Sequence, residues 1–144
     1  MVERIYDKDL FEKYGIYTLY LNEEIVEHYF KQHFKDFGFS HIQPLLEKDS
    51  IGDYLALENG KWVHVELEVF ASSFFTHPAY IRKEIAVIVC YKKGKSRDKN
   101  KQAELEQKRV IEIWNFLNLA GIYVYRNSME KLFLEANINH QRGK

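Results

Sequence analysis

Three carboxylates and a histidine gather around one short turn of this chain. The run Asp53-Tyr54-Leu55-Ala56-Leu57-Glu58 and the run Lys61-Trp62-Val63-His64-Val65-Glu66-Leu67-Glu68-Val69 are β-patterned and separated only by Asn59-Gly60. That dipeptide is the strongest short-range hairpin signal. A two-residue loop sets the register: Glu58 meets Lys61, Leu57 meets Trp62, Ala56 meets Val63, Leu55 meets His64, Tyr54 meets Val65, and so Asp53 meets Glu66. Like charges directly opposite each other destabilise a sheet, so the pairing asks for a cation between the carboxylates or a proton on one of them.

Alternation along the second run puts Trp62, His64, Glu66 and Glu68 on one face and Val63, Val65, Leu67 and Val69 on the core face. Asp53, Glu66 and Glu68 could then offer oxygens to a hard divalent cation. Magnesium or manganese needs only one or two protein carboxylates, completed by water and substrate phosphate. Calcium asks for more oxygens, and zinc for more nitrogen or sulfur, with His64 lying toward the turn. The alternative is that Glu66 and Glu68 only solvate an exposed strand face. Against it stand the apolar run around them and the helix expected over that face, a setting that penalises uncompensated carboxylates.

The elements that must position this cluster follow from periodicity. Asn22 caps a helix in which Val26, Tyr29, Phe30, His33, Phe34 and Phe37 recur at helical spacing until Gly38. Phe39 to Leu46 reads as a strand interrupted by Pro44, the hairpin follows, and Ile85 to Tyr91 reads as a further strand. Ala71 to Pro78 reads as a loop whose adjacent Phe74 and Phe75 must pack somewhere. A second helix is expected from about Gln102 to Leu119, with Val110, Ile113, Trp114 and Leu117 on one face and Gly121 after its end. Ile122 to Tyr125 reads as a strand, Ser128 to Ala136 as a short helix, and residues 137–144 as a frayed tail. Before the first long helix, Asp7 to Tyr14 could form a helical turn, followed by an extended Ile16 to Leu21. The core order is helix, strand, strand, strand, helix, strand. It implies an α/β fold with a mixed sheet and helices on its faces.

With 144 residues the chain is expected to form a single domain, 1–144, able to bury a core without disulfides. Lysine plus arginine and aspartate plus glutamate both count 21, so any basic surface must be local. One is visible: Lys92, Lys93, Lys95, Arg97, Lys99 and Lys101 crowd a segment without apolar side chains, expected as an exposed loop. It reads either as a phosphate-binding surface or as a solvated connection. The single cysteine, Cys90, lies in an apolar run and reads as a buried reduced thiol, which suits a cytoplasmic or otherwise intracellular location. Neither a signal peptide nor an apolar stretch of membrane-spanning length is recognisable, so no membrane association is expected.

These residues resemble the PD-(D/E)xK, or restriction-endonuclease-like, nuclease superfamily. Gly52-Asp53 stands where that family has Pro-Asp, and Glu66-Leu67-Glu68 stands where it has Glu-x-Lys. The element order matches the family's αβββαβ core over about residues 22–125. The resemblance implies a nuclease hydrolysing DNA with magnesium or manganese. Asp53, Glu66 and the Leu67 carbonyl would hold the metal, and Glu27 from the first helix, or else Glu23, would complete the catalytic set. Glu68 replaces the family's lysine, which puts the activation of water in question; Lys83 or His77 could reach inward as an accessory group. The basic residues from Lys92 to Lys101 would hold the DNA backbone, and cutting both strands would call for a homodimer. Two rivals remain: a catalytically inactive DNA-binding protein of the same fold, and a structural or interaction protein using Phe74, Phe75 and Tyr80 as an interface.

Overall fold

The computed structural model describes residues 7–94 and 96–142. They form two compact units, one of Val26–Trp114 and the other of the described residues within Met1–Ile25 and Asn115–Lys144.

The first unit is built on a five-stranded mixed sheet in the order β2-β3-β4-β5-β6, comprising β2 (His41–Pro44), β3 (Tyr54–Glu58), β4 (Lys61–Phe70), β5 (Ile85–Lys92) and β6 (Arg109–Glu112). Strands β2, β3 and β4 run antiparallel, while β5 is parallel to β4 and β6 is parallel to β5. Asn59 and Gly60 both have positive φ, 51° and 78°. That backbone twist suits a two-residue hairpin, and it delivers the expected register from Glu58–Lys61 to Tyr54–Val65. Pro44, which cannot donate to a ladder, ends the edge strand β2.

Each face of the sheet has its own cover. On one side Tyr54, Ala56, Val65, Leu67, Val87 and Val89 are buried, and helix α2 (Glu23–His33) meets them through Phe30, whose ring centroid lies 5.2 Å from that of Tyr54. On the other side Ile88 and Cys90 pack with Ala71, Phe74, Ile85 and Leu105. Phe74 belongs to a 3-10 helix, Ala71–Thr76, and Leu105 to helix α4, Lys99–Glu106. Strand β5 is therefore apolar on both faces, the pattern of a central strand.

Several expectations need correcting. The segment from Ala71 to Pro78 is not a loop: burying Phe74 winds residues 71–76 into the 3-10 helix, and α3 (Ala79–Glu84) follows. The helix expected from Gln102 to Leu119 is three elements: α4, β6, and α5 (Trp114–Leu119). Val110-Ile111-Glu112-Ile113 carries β-branched side chains, and the free edge of β5 takes it as a strand with Ile111 and Ile113 turned inward. The basic segment is not one exposed loop either. Lys92 closes β5, and Lys99 and Lys101 lie in α4, whose N-terminus Asp98 caps by accepting from the N–H groups of Asn100 and Lys101. Lys95 lies outside the described residues.

In the second unit, β1 (Thr18–Tyr20) pairs in parallel with β7 (Tyr123–Tyr125), so the last strand forms a separate two-stranded sheet. Helix α6 spans Ser128–Arg142, well beyond Ala136, because Ile138 is buried and Asn139 accepts from the Tyr14 hydroxyl at 2.8 Å. Asp7 ties the unit together. Its carboxylate caps α1 (Lys8–Tyr14) through the Leu10 N–H, accepts from Tyr125 Oη at 3.0 Å, and pairs with Lys131 Nζ at 2.5 Å. Among the described residues no helix is long and apolar enough to cross a membrane.

Burial alone would raise the pKa of Asp7, but Lys131, the Leu10 N–H and the Tyr125 hydroxyl together lower it. A carboxyl with a lowered folded pKa stabilises the protein above its unfolded value and loses that contribution as pH falls through the folded one. Asp7→Ala should cost about 3 kcal/mol, since it leaves Lys131 and Tyr125 without their partner. Urea denaturation at neutral pH measures this, and the gap between wild type and variant should shrink below pH 4.

Candidate metal centre

Glu66 and Glu68 sit two residues apart on β4, opposite Ile88 and Cys90 of β5, so both project to the side of the sheet that carries Phe74. They are 6% and 5% exposed. The expected apolar setting is real, and its cover comes from the segment after β4. His77, the residue that ends the 3-10 helix, points Nε2 to within 3.1 Å of Glu66 Oε1 and 3.3 Å of Glu68 Oε1. One ligand atom from each of these residues lies within 4.8 Å of the other two. The His77 backbone is anchored in turn: its carbonyl accepts from Arg82 Nη1 at 2.7 Å, and Arg82 is paired with Glu104 at 2.8 and 3.2 Å.

Asp53 approaches from β3. Its N–H donates to the Val65 carbonyl at 2.8 Å, and its Oδ2 accepts from the Leu67 N–H at 2.8 Å, so it brackets Glu66 one residue beyond the paired strand. Gly52 permits this approach. It has φ of +83°, and a Cβ there would lie 2.7 Å from the Val65 carbonyl oxygen, a position that no other residue type occupies without strain. Burial, then the charges of Asp53 and Glu68, push the Glu66 carboxyl up to about 9. The three carboxylates thus crowd negative charge onto one buried stretch of the hairpin.

Other candidate residues lie elsewhere. Glu27 accepts from Tyr54 Oη at 3.2 Å and pairs with Lys31 at 3.5 Å; Tyr54 shares the face of Val65, and Glu27 is not part of the Glu66, Glu68 and His77 group. Glu23 opens α2 and is exposed, and Lys83 is exposed on α3. Leu67 buries its side chain. Of the basic residues, Lys92 lies 5.1 Å from the Trp114 ring centroid and Lys101 lies 5.5 Å from that of Phe75, the Lys93 N–H bonds Glu112, and Arg97 and Lys99 are exposed. Phe74 is fully buried and so gives nothing to an interface, whereas Tyr80 is exposed. His64 spends Nδ1 on the Ile51 carbonyl at 2.8 Å.

His77, expected at most as an accessory group, lies within 3.3 Å of both glutamates. The signal was the Phe74-Phe75 pair. Burying it folds residues 71–76 back over β4 and carries His77 with them. Compared with known proteins, the chain matches no family model, and no curated protein or solved structure matches it.

A carboxyl with a raised folded pKa gives stability that is complete below its unfolded value, about 4.5 for Glu66, and that is lost as pH rises toward about 9. In the presence of EDTA, wild type should therefore lose melting temperature steadily between pH 5 and 9. Glu66→Gln, which keeps the shape without the charge, should flatten that slope and melt higher than wild type at pH 9. Parallel profiles for the two proteins would contradict the buried-charge account.

Proposed function

We propose that this chain is a metal-dependent nuclease that hydrolyses phosphodiester bonds in DNA, built on a core of the PD-(D/E)xK kind. The observation that carries the reading is the position of Asp53 beside Glu66 on an antiparallel hairpin, with Glu68 buried two residues further on. The order α2, β2, β3, β4, the crossover through α3, and β5 parallel to β4 supports it, as does the left-handed Gly52 that brings Asp53 close.

In this reading Asp53 and Glu66 would hold the metal, with the Leu67 carbonyl as a further ligand. A bound magnesium or manganese ion supplies polarisation of the scissile phosphate and a more acidic water. The chain's own groups do the rest. Leu67 and Val65 fix Asp53 through the backbone, and the buried wall of Ile88, Cys90 and Phe74 limits water on one side of the carboxylates. Arg97, Lys99 and Lys101 offer positive charge to a phosphate backbone, and a cavity of about 270 Å³ lined by Phe75, Arg82, Asp98, Asn100, Lys101 and Glu104 adjoins them. Cutting both strands of a duplex would place two such centres in a homodimer.

One observation favours a second reading. Glu68 stands where the family's lysine would, and a protein lacking that lysine could bind DNA without cutting it. Plasmid nicking separates the two. Wild type should cleave with manganese or magnesium, and Asp53→Ala and Glu66→Ala should each lose at least about 100-fold, the upper end of what even indirect supports of a metal site cost. Equal cleavage by wild type and both variants would remove the nuclease reading. Salt-dependent binding without cleavage would establish the second.

A further inference from the structure

We propose that Glu68 and Nε2 of His77 join Glu66 as ligands of the ion in this centre, and that the imidazole makes the centre select manganese, cobalt or zinc over magnesium. The proposal deepens the metal-dependent reading above and rests on it for a divalent ion, but not for DNA as the substrate.

Three features converge. The first is spacing. Ligands about 2.1 Å from one ion, at tetrahedral or octahedral angles, lie about 3.0–3.5 Å from each other. Nε2 of His77 already stands 3.1 and 3.3 Å from one oxygen of each glutamate. The second is charge. Glu66 and Glu68 are held side by side almost wholly out of water, an arrangement that calls for a cation between them. The third is preorganisation. His77 is fixed through its backbone by the Arg82–Glu104 pair and through its N–H to the Phe74 carbonyl, with Phe74 fully buried. Its side chain nevertheless remains about one-third exposed.

The choice of ion follows from ligand chemistry. Magnesium binds oxygen and keeps its waters, and imidazole is a poor partner for it. Imidazole suits the transition divalents, whose affinities for mixed nitrogen and oxygen sites rise from manganese through cobalt. Zinc, which an all-carboxylate hairpin would not favour, gains here the nitrogen that it prefers. The competing explanation is that His77 is simply the counter-charge of two glutamates, in which case it excludes metal instead of binding it.

Calorimetric titration of the full chain with manganese, cobalt, zinc and magnesium chlorides decides between them, together with the visible absorption of bound cobalt. One ion per chain should bind, with manganese and cobalt at least about ten-fold tighter than magnesium. His77→Ala should weaken manganese and cobalt by about ten-fold or more, the range seen when supports of a metal site are lost, while leaving magnesium nearly unchanged and shifting the cobalt spectrum. His77→Gln, closer in shape and still able to hydrogen-bond both glutamates, should show the same loss and guards against a folding defect. Magnesium binding as tightly as manganese, an unaltered preference in both His77 variants, or no ion bound at all would each overturn the proposal. Plasmid cleavage assayed in parallel keeps the two readings apart: His77-dependent binding without cleavage removes the nuclease and leaves the metal centre. Cleavage with no manganese preference does the reverse.

Discussion

Glu66 and Glu68 are buried side by side on a strand whose neighbours are valine, leucine, isoleucine and cysteine, and the surrounding unit is arranged around that burial. A carboxylate moved out of water without a partner is strongly penalised, and two of them on one strand face compound the penalty. The 3-10 helix answers with His77, held by Arg82 and Glu104 from the next two helices. Strand β3 does the opposite. Across a glycine that alone tolerates the approach, it adds Asp53 and with it another negative charge. A purely structural ion pair would gain nothing from that extra carboxylate. A cation site would.

What could be read from the sequence was what short-range geometry dictates. Asn59-Gly60 fixed the hairpin and its pairs, alternation along β4 separated Val65 and Leu67 from Glu66 and Glu68, and the apolar run of β5 marked a strand. Long-range competition was not legible. Val110, Ile113, Trp114 and Leu117 fit a helical stripe as well as they fit the observed strand and short helix, and only the open edge of β5 decides. The polar end of α6 looked like a tail because the partner that orders it, Tyr14, lies 125 residues away in the chain. The same limit applied to the site. His64 is adjacent in sequence but is engaged by Ile51, whereas His77 returns from beyond the end of the strand.

Glu68 gives this centre its particular character. It is a third acid on the same hairpin, and the 3-10 helix that follows brings the His77 nitrogen to it. With an ion bound as proposed, the imidazole nitrogen would suit a transition divalent ion better than oxygen ligands alone would. Arg97, Lys99 and Lys101 are exposed on the same unit, where an acidic centre and a basic surface coexist within a chain of zero formal net charge.

The central claim is that the buried carboxylates are a cation site. Anomalous diffraction from a crystal soaked in manganese tests it most directly. The account predicts one peak among Glu66, Glu68 and His77, with Asp53 beside it. A crystal with manganese only at surface carboxylates, and His77 still hydrogen-bonded to both glutamates, would contradict it.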